Sequence, residues 1–539
     1  MFKKLSAAAL AACMLLMTAS GCGQSGESAA EETTAPAETK PAAVTKLPKP
    51  DMTKWLYRED EDVYYRVGLT YCEKPVEKGY EQLALFVPGA YMDATDNGDG
   101  TYTCTLNESA ELNGYTAATA PIVMPIYTPG YAAADPLTEE MVQGFIMTGE
   151  EGVQNFTSQG FVYAYPGCRG INEGAPAGVA DLKAAVRYIR YCDDVIAGDA
   201  ESIFVFGMSG GGAQAAVLGA SGDSPSYDPY LKAIGAVQGV SDAVAGSMDW
   251  CPITSLNTAD AEYEWMLGCT RPERSEEEQA ISDELALAYA DYVNSAGFKD
   301  KDGNALTLTE SEEGIYQAGS YYDYIKGVIE TSLNHYLADT EFTDGTAEDY
   351  INSLNADKKW VAYDKSTNTA TVTSVADFAE NCKPASSMLV AFDQPAGQNT
   401  LFGLGDGKGS HFDRILSDIV TKLKMPYADD YISDLAKTDF VGNNVEKRVL
   451  MYAPLYFLME GQKGYGTAKV APYWRIRTGI AQPTTSLTTE VNLALALEQY
   501  DGVRSVDFET VWAQTHEPAE RTGDSTANFI AWVNDCMKG

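Results

Sequence analysis

A serine framed by glycines, Gly207-Met208-Ser209-Gly210-Gly211, constrains this chain more than any other feature. Before it stands a short apolar run, Ser202-Ile203-Phe204-Val205-Phe206; after it comes a stretch of small residues reaching Ala220. The order strand, tight turn, small-residue helix is what a serine needs to be held on a strained corner above a sheet edge. Glycine neighbours let the helix approach the strands closely. The competing reading is a glycine-rich turn without chemistry.

The surrounding pattern agrees with that corner. Residues 64–92 alternate around Glu77-Lys78-Gly79 and read as a hairpin. Asp96-Asn97-Gly98-Asp99-Gly100 reads as a second hairpin turn, since the later carboxylate of a calcium loop is missing. Ala120 to Tyr127 and Gly160 to Tyr165 are apolar runs ending in loops, the mark of buried parallel strands. Between Val179 and Ile196 the apolar residues fall at helical spacing, with Gly198-Asp199 expected to stop the helix. After Thr254 the texture turns to acidic helices and Gly/Asn/Asp turns, and the strand–helix pattern returns at Trp474. The segment 254–444 therefore reads as a large helical cap or lid inserted between a first core part, 51–253, and a second, 445–539. A helix Thr489–Glu498, a strand Ser505–Trp512 and a last helix Ser525–Cys536 close the chain. Gly403 to Gly409 lacks the first glycine and the Ser or Thr of a phosphate loop, so no nucleotide site is expected.

A serine nucleophile needs a base. The chain has three histidines. His335 lies in a tyrosine-rich helical run and His411 after a glycine-rich loop, both inside the insertion. His516 follows the last strand and precedes the last helix, the position of the base in the α/β-hydrolase fold. The expected fold class is therefore α/β, a mostly parallel sheet of the α/β-hydrolase kind. Ser209 and His516 are the expected catalytic pair. The oxyanion hole is expected from the N–H of Gly210 and one from the loop after strand 120–127, at Gly130 or its neighbour Tyr131. Arg169, in Pro-Gly-Cys-Arg-Gly, is expected to brace that face, with substrate binding as the competing reading.

The ends and the charge narrow the setting. Lys3 and Lys4, an apolar stretch from Leu5 to Met17, and Ala19-Ser20-Gly21-Cys22 read as a bacterial lipoprotein signal over residues 1–21. Cys22 is then the lipid attachment point, with plain secretion as the competing reading. Residues 22–50 hold almost no large apolar side chain and read as a flexible tether. The expected location is the cell membrane of a bacterium, lipid-anchored and facing outward. Besides Cys13 in the signal and Cys22, eight cysteines without CxxC spacing read as buried thiols or disulfides alike. With so few histidines, none beside a cysteine pair, no metal is expected. A formal net charge of −39 would repel a phosphate backbone, which argues against nucleic acid as a partner.

Several stretches resemble the bacterial (subtype B) tannases. They are Tyr64-Tyr65-Arg66-Val67-Gly68, Ala197 to Glu201, Ser209 with its glycines, Asp228 to Ala233, Cys251 to Thr254, Ala259 to Trp265 and Val506-Asp507-Phe508. The resemblance implies an α/β-hydrolase esterase with a lid insertion, acting on galloyl esters through Ser, His and Asp without a cofactor. It places the serine on Ser209 and the histidine on His516. It places the acid just after strand 474–479, where this chain has Ala481-Gln482-Pro483-Thr484-Thr485 and no carboxylate. The nearest acid is Glu490, in the following helix. Where the family reads gallate hydroxyls with a Lys and a Glu around Ala391-Phe392-Asp393, this chain offers Ser387 and Gln398. The expected activity is hydrolysis of small-molecule aromatic or short acyl esters. The alternative is a weakened or inactive relative that binds an ester, glycan or peptide; a peptidase on the same fold has no supporting motif.

Overall fold

The computed structural model describes residues 45–76, 79–144, 152–271, 274–385, 389–394 and 397–539. All lie within one compact unit, Val44–Gly539. Its centre is a nine-stranded sheet: β1 (Leu56–Arg58), β2 (Val63–Thr70), β3 (Gln82–Pro88), β4 (Ile122–Ile126), β5 (Val162–Pro166), β6 (Ile203–Met208), β7 (Gly246–Trp250), β8 (Tyr473–Gly479) and β9 (Ser505–Val511). The spatial order is β1-β2-β3-β5-β4-β6-β7-β8-β9. The first three strands are antiparallel to their neighbours, and the six from β5 to β9 run parallel. A parallel block needs cover on both faces. Along β6, Ile203 and Val205 face one apolar layer while Phe204 and Phe206 face another. The first layer includes α1 (Ala177–Tyr191) and α2 (Gly210–Ala220).

Strand β7 has no counterpart in the sequence reading. Its residues, Gly-Ser-Met-Asp-Trp, are all buried but mostly small or polar, so no apolar run announces it. A Cβ on Gly246 would lie 2.7 Å from the Phe204 ring and 2.9 Å from the Trp532 ring, so glycine is what the packing admits there. Helix α1 stops at Tyr191, short of the expected Ile196. Asp193 and Asp194 follow at the negative end of its dipole, which disfavours further turns.

The long segment between β7 and β8, which holds the expected insertion, contributes α3 (Ala259–Leu267), α4 (Ser320–Asp339) and α5 (Val375–Cys382), with further helices and a two-stranded hairpin. Helix α4 lies on β9, the last strand of the sheet. The Ser332 hydroxyl donates to the Thr510 carbonyl at 2.7 Å, and His335 Nδ1 meets Glu509 Oε1 at 2.7 Å. An edge strand that would invite pairing is thereby covered. After the insertion come α6 (Leu487–Gln499) and α7 (Ser525–Cys536), the latter capped by Asp524, which accepts from Ala527 N.

Two expectations change at the front of the chain. Cys22 and most of the expected tether lie outside the described residues. Residues 45–50 belong to the core: Leu47 is buried, Tyr188 and Tyr191 donate to the Pro48 and Leu47 carbonyls, and Lys49 pairs with Asp194. One apolar side chain and two prolines sufficed to seat this stretch, which composition alone had suggested was solvated. All eight described cysteines are free; five besides Cys536 are buried, Cys382 is half-buried and Cys269 exposed. Among the described residues no helix is long and apolar enough to cross a membrane.

Candidate active site

Strands β6, β8 and β9 end at the same edge of the parallel block, and each continues into a loop that carries one polar group. Ligands in open α/β sheets bind outside such carboxyl ends. Ser209 leaves β6 with φ +61° and ψ −121°, a conformation L-residues avoid, and α2 begins at the next residue. Its amide donates to the Trp250 carbonyl at 2.9 Å. The glycines around it are sterically required: a Cβ on Gly211 would sit 2.1 Å from the Ile126 carbonyl oxygen, and one on Gly207 would sit 2.5 Å from Gly211.

The loop after β4 closes against the same corner. Gly130 has φ +57° and Tyr131 φ +61°. A Cβ on Gly210 would lie 2.5 Å from the Tyr131 nitrogen and 3.3 Å from the Gly130 nitrogen, so these backbones are nearly in contact. The Tyr131 N–H is committed to the Thr128 carbonyl at 2.9 Å. The Tyr131 hydroxyl donates to the Ile253 carbonyl at 2.5 Å, and Thr128 Oγ1 donates to Gln214 Oε1 at 2.8 Å, which locks the loop. Arg169 braces the neighbouring turn: its Nε and terminal nitrogen reach Asp181 at 2.9 and 2.7 Å, with Glu81 3.5 Å away.

His516 sits on the loop after β9. That loop approaches the serine corner through Cys251, whose thiol faces the Glu517 carbonyl at 3.2 Å and the Thr515 carbonyl at 3.8 Å. Cys251 lies between Trp250, which accepts from the Ser209 amide, and Ile253, whose amide donates to the Ser209 carbonyl at 3.3 Å. Glu520 pins the far side of the loop by accepting from Arg475 at 2.6 and 2.7 Å and from Trp250 Nε1 at 3.1 Å. Ser209 and His516 are both half-buried.

The group facing His516 is an amide. His516 Nδ1 lies 2.7 Å from Gln482 Oε1. An amide oxygen only accepts, so Nδ1 carries the proton and Nε2 is left as the basic nitrogen. Burial and the nearby Lys383 hold the imidazole below its usual range, so it is neutral at pH 7. Glu490 does not touch His516. Buried on α6, it accepts from Gln482 Nε2 at 2.6 Å and from Thr485 Oγ1 at 2.9 Å, one side chain further back. The half-buried Thr484 makes no hydrogen bond to His516.

Lys383, just past α5, was not singled out by the sequence reading. It is buried, and its ammonium donates to the carbonyls of Ile480 (3.3 Å) and Gln482. The turn that carries Gln482 is thus held by a residue of the insertion. Only its place eight residues before Ala391-Phe392-Asp393 could have marked it. Gln398 opens a short helix, Gln398–Leu401, half-buried and without a hydrogen bond to Gln482 or His516; Ser387 lies outside the described residues. His411 is remote in role: its Nδ1 meets Asp393 at 3.0 Å and its ring stacks on Tyr431. No group of His, Cys, Asp and Glu among the described residues is arranged to hold a metal ion.

The BD-FAE family model matches residues 112–299. Tannin acyl hydrolase from Lactobacillus plantarum superposes with a TM-score of 0.68 at 26% identity, covering 88% of this chain and 94% of its own. Tannase from Fusobacterium nucleatum gives a TM-score of 0.69 at 27% identity, covering 88% and 95%. The chain is a tannase-like α/β-hydrolase esterase. Tannin acyl hydrolase in complex with ethyl gallate is similar to the same degree, with a TM-score of 0.67 and 26% identity over 88% of this chain and 94% of that one. No curated protein matches the sequence. Within this tannase-like esterase, the neutral Gln482 on the histidine is the feature that sets its site apart from a Ser-His-Asp arrangement.

Proposed function

We propose that the chain is a serine ester hydrolase that works through an acyl-enzyme. The observation that carries the reading is the strained Ser209 corner together with a histidine whose Nδ1 proton is already held by Gln482. His516 Nε2 takes the Ser209 proton as Oγ attacks the ester carbonyl, and returns it to the departing alcohol. The amides of Gly210 and Gly130 hold the oxyanion; Tyr131 N–H is engaged elsewhere, which favours Gly130 as second donor. Water then enters by the reverse path and releases the acid. Gln482 takes the orienting role of an acid, as an amide does in Cys-His-Asn hydrolases. The substrates are aromatic or short acyl esters of small molecules. Gln398 and Ser387 are neutral where strong binding of three phenolic hydroxyls asks for charge, so methyl gallate is a weak substrate. The enzyme is held at the outer face of a bacterial membrane through lipid on Cys22.

A second reading, a binding protein with a slowed or silent site, draws on the missing carboxylate at His516. Labelling with a fluorophosphonate separates the two. The esterase reading expects one adduct, on Ser209, absent in Ser209→Ala. It also expects kcat/KM for p-nitrophenyl acetate or methyl benzoate to exceed that for methyl gallate. A chain that takes no label and turns over none of these esters is the binding protein.

A further inference from the structure

Gln482 has two chemically opposite ends, and only one of them suits His516. If its Nε2 faced the imidazole, Nδ1 would have to accept. The ring proton would then move to Nε2, the atom that must receive the serine's proton. Asparagine in the acid's place of a serine triad costs about 10⁴-fold in kcat for that reason. Something must therefore choose the amide's orientation.

We propose that Glu490 is a positioning residue that sets this choice, accepting the Gln482 Nε2–H so that the amide oxygen is left for His516. The proposal rests on the esterase reading of Ser209 and His516. The contacts are short and buried: Gln482 Nε2 to Glu490 Oε1 2.6 Å, to Thr485 Oγ1 2.8 Å and to Thr478 Oγ1 2.9 Å. The threonine hydroxyls rotate and serve either orientation of the amide. Both also come within reach of Glu490 Oε1, at 2.9 and 3.3 Å, so they follow the carboxylate. An ionised carboxylate accepts only and excludes the flipped amide, whose oxygen would meet its own. Gln482 and Glu490 are both fully buried, so water is kept from softening the choice.

The titratable groups around Glu490 come from three parts of the chain. Lys383 beyond α5 favours its ionised form, Glu262 on α3 opposes it, and the neutral thiol of Cys251 lies nearby. Glu490 Oε2 has no partner among the described residues. Burial raises the Glu490 carboxyl to about 7, and lowers the Lys383 ammonium to about 8. Once protonated, Glu490 can donate to the Gln482 oxygen and stabilise the wrong orientation. Activity is then lost as pH falls through the Glu490 titration, before His516 itself is protonated.

The test uses the full chain and p-nitrophenyl acetate. Glu490→Gln keeps the volume but offers an amide that satisfies either orientation. The expected result is a fall of at least tenfold in kcat with KM within about twofold, and an acid limb of the pH profile displaced to below 6.5. Nitrogen-15 NMR of His516 should show Nδ1–H in the parent at pH 8 and a mixed population in the variant. Exchanging the pair, Gln482→Glu with Glu490→Gln, places a carboxylate on the imidazole and an amide donor behind it; kcat should recover to the parent level or above. An unchanged acid limb and tautomer in Glu490→Gln would overturn the proposal, and so would a parent His516 protonated at Nε2. The tautomer is read without turnover, so it judges the Glu490 arrangement even if Ser209 fails to label.

Discussion

At the scale of single residues, the serine corner and the histidine partner differ in how far the sequence exposes them. The corner is legible because sterics leave few choices: Gly207, Gly210 and Gly211 each face backbone atoms within 2.6 Å of where a Cβ would stand. The histidine's partner is not legible, because nothing in Ala-Gln-Pro-Thr-Thr distinguishes a side chain aimed at a ring from one facing solvent. The strain at Ser209 leads to a prediction. A positive φ at a residue other than glycine costs roughly 1–3 kcal/mol, and glycine at such a position relieves it. Ser209→Gly should therefore unfold at a higher urea concentration than Ser209→Ala, by about 1 kcal/mol. Both should be inactive. Equal midpoints would mean the corner is held without strain.

Among the elements, β4, β5 and β6 were readable from their apolar runs and β8 and β9 from the returning strand–helix pattern, whereas β7 was not, because packing at Gly246 and a buried Ser247–Asp249 contact replaced its apolar signal. The same limit hid Lys383, whose partners are backbone carbonyls nearly a hundred residues away. Inside the insertion, α3 and the segment near Asp413 share a buried acidic contact. Asp260 accepts from the amides of Phe392 and Asp393, while Asp393 accepts from those of Phe412 and Asp413. Burial raises the Asp413 carboxyl to about 7. Its folded value thus exceeds the ordinary value of an unfolded aspartate, near 3.9. The folded state holds the extra proton between those values, so this group's contribution to stability is present at low pH and declines as pH rises towards 7. Asp413→Asn retains an oxygen for the Leu416 amide, which Asp413 now caps at 3.0 Å, and removes the titration. The variant should gain in melting temperature on the parent at pH 8 relative to pH 5. A difference that is constant across that range would exclude Asp413 as the source.

For the whole molecule, the mostly parallel sheet and its helical cover were legible, whereas the strand order was not. The parallel block, the cover on both faces and the position of His516 after the last strand follow from runs and spacings that any sheet of this kind requires. The excess of acid has a separate consequence for the proposed anchor. A body of net charge −39 is repelled by an anionic membrane surface and has no basic stretch with which to hold it. Lipid on Cys22 would then be the sole attachment. The parent should sediment with membranes, and Cys22→Ser should be released at both low and high salt, with the same melting temperature. Retention of Cys22→Ser on membranes would point to another attachment.

The free thiols carry a last consequence. No covalent cross-link joins any two of the described cysteines. Such a chain can mature without an electron acceptor, and thiol exchange has nothing in it to rearrange. Cys269, the one exposed thiol among them, offers an attachment point for a reporter dye. Its neighbour Thr270 accepts from the Ala385 amide at 2.8 Å, two residues from Lys383, so the dye would register motion of the segment that steadies Gln482.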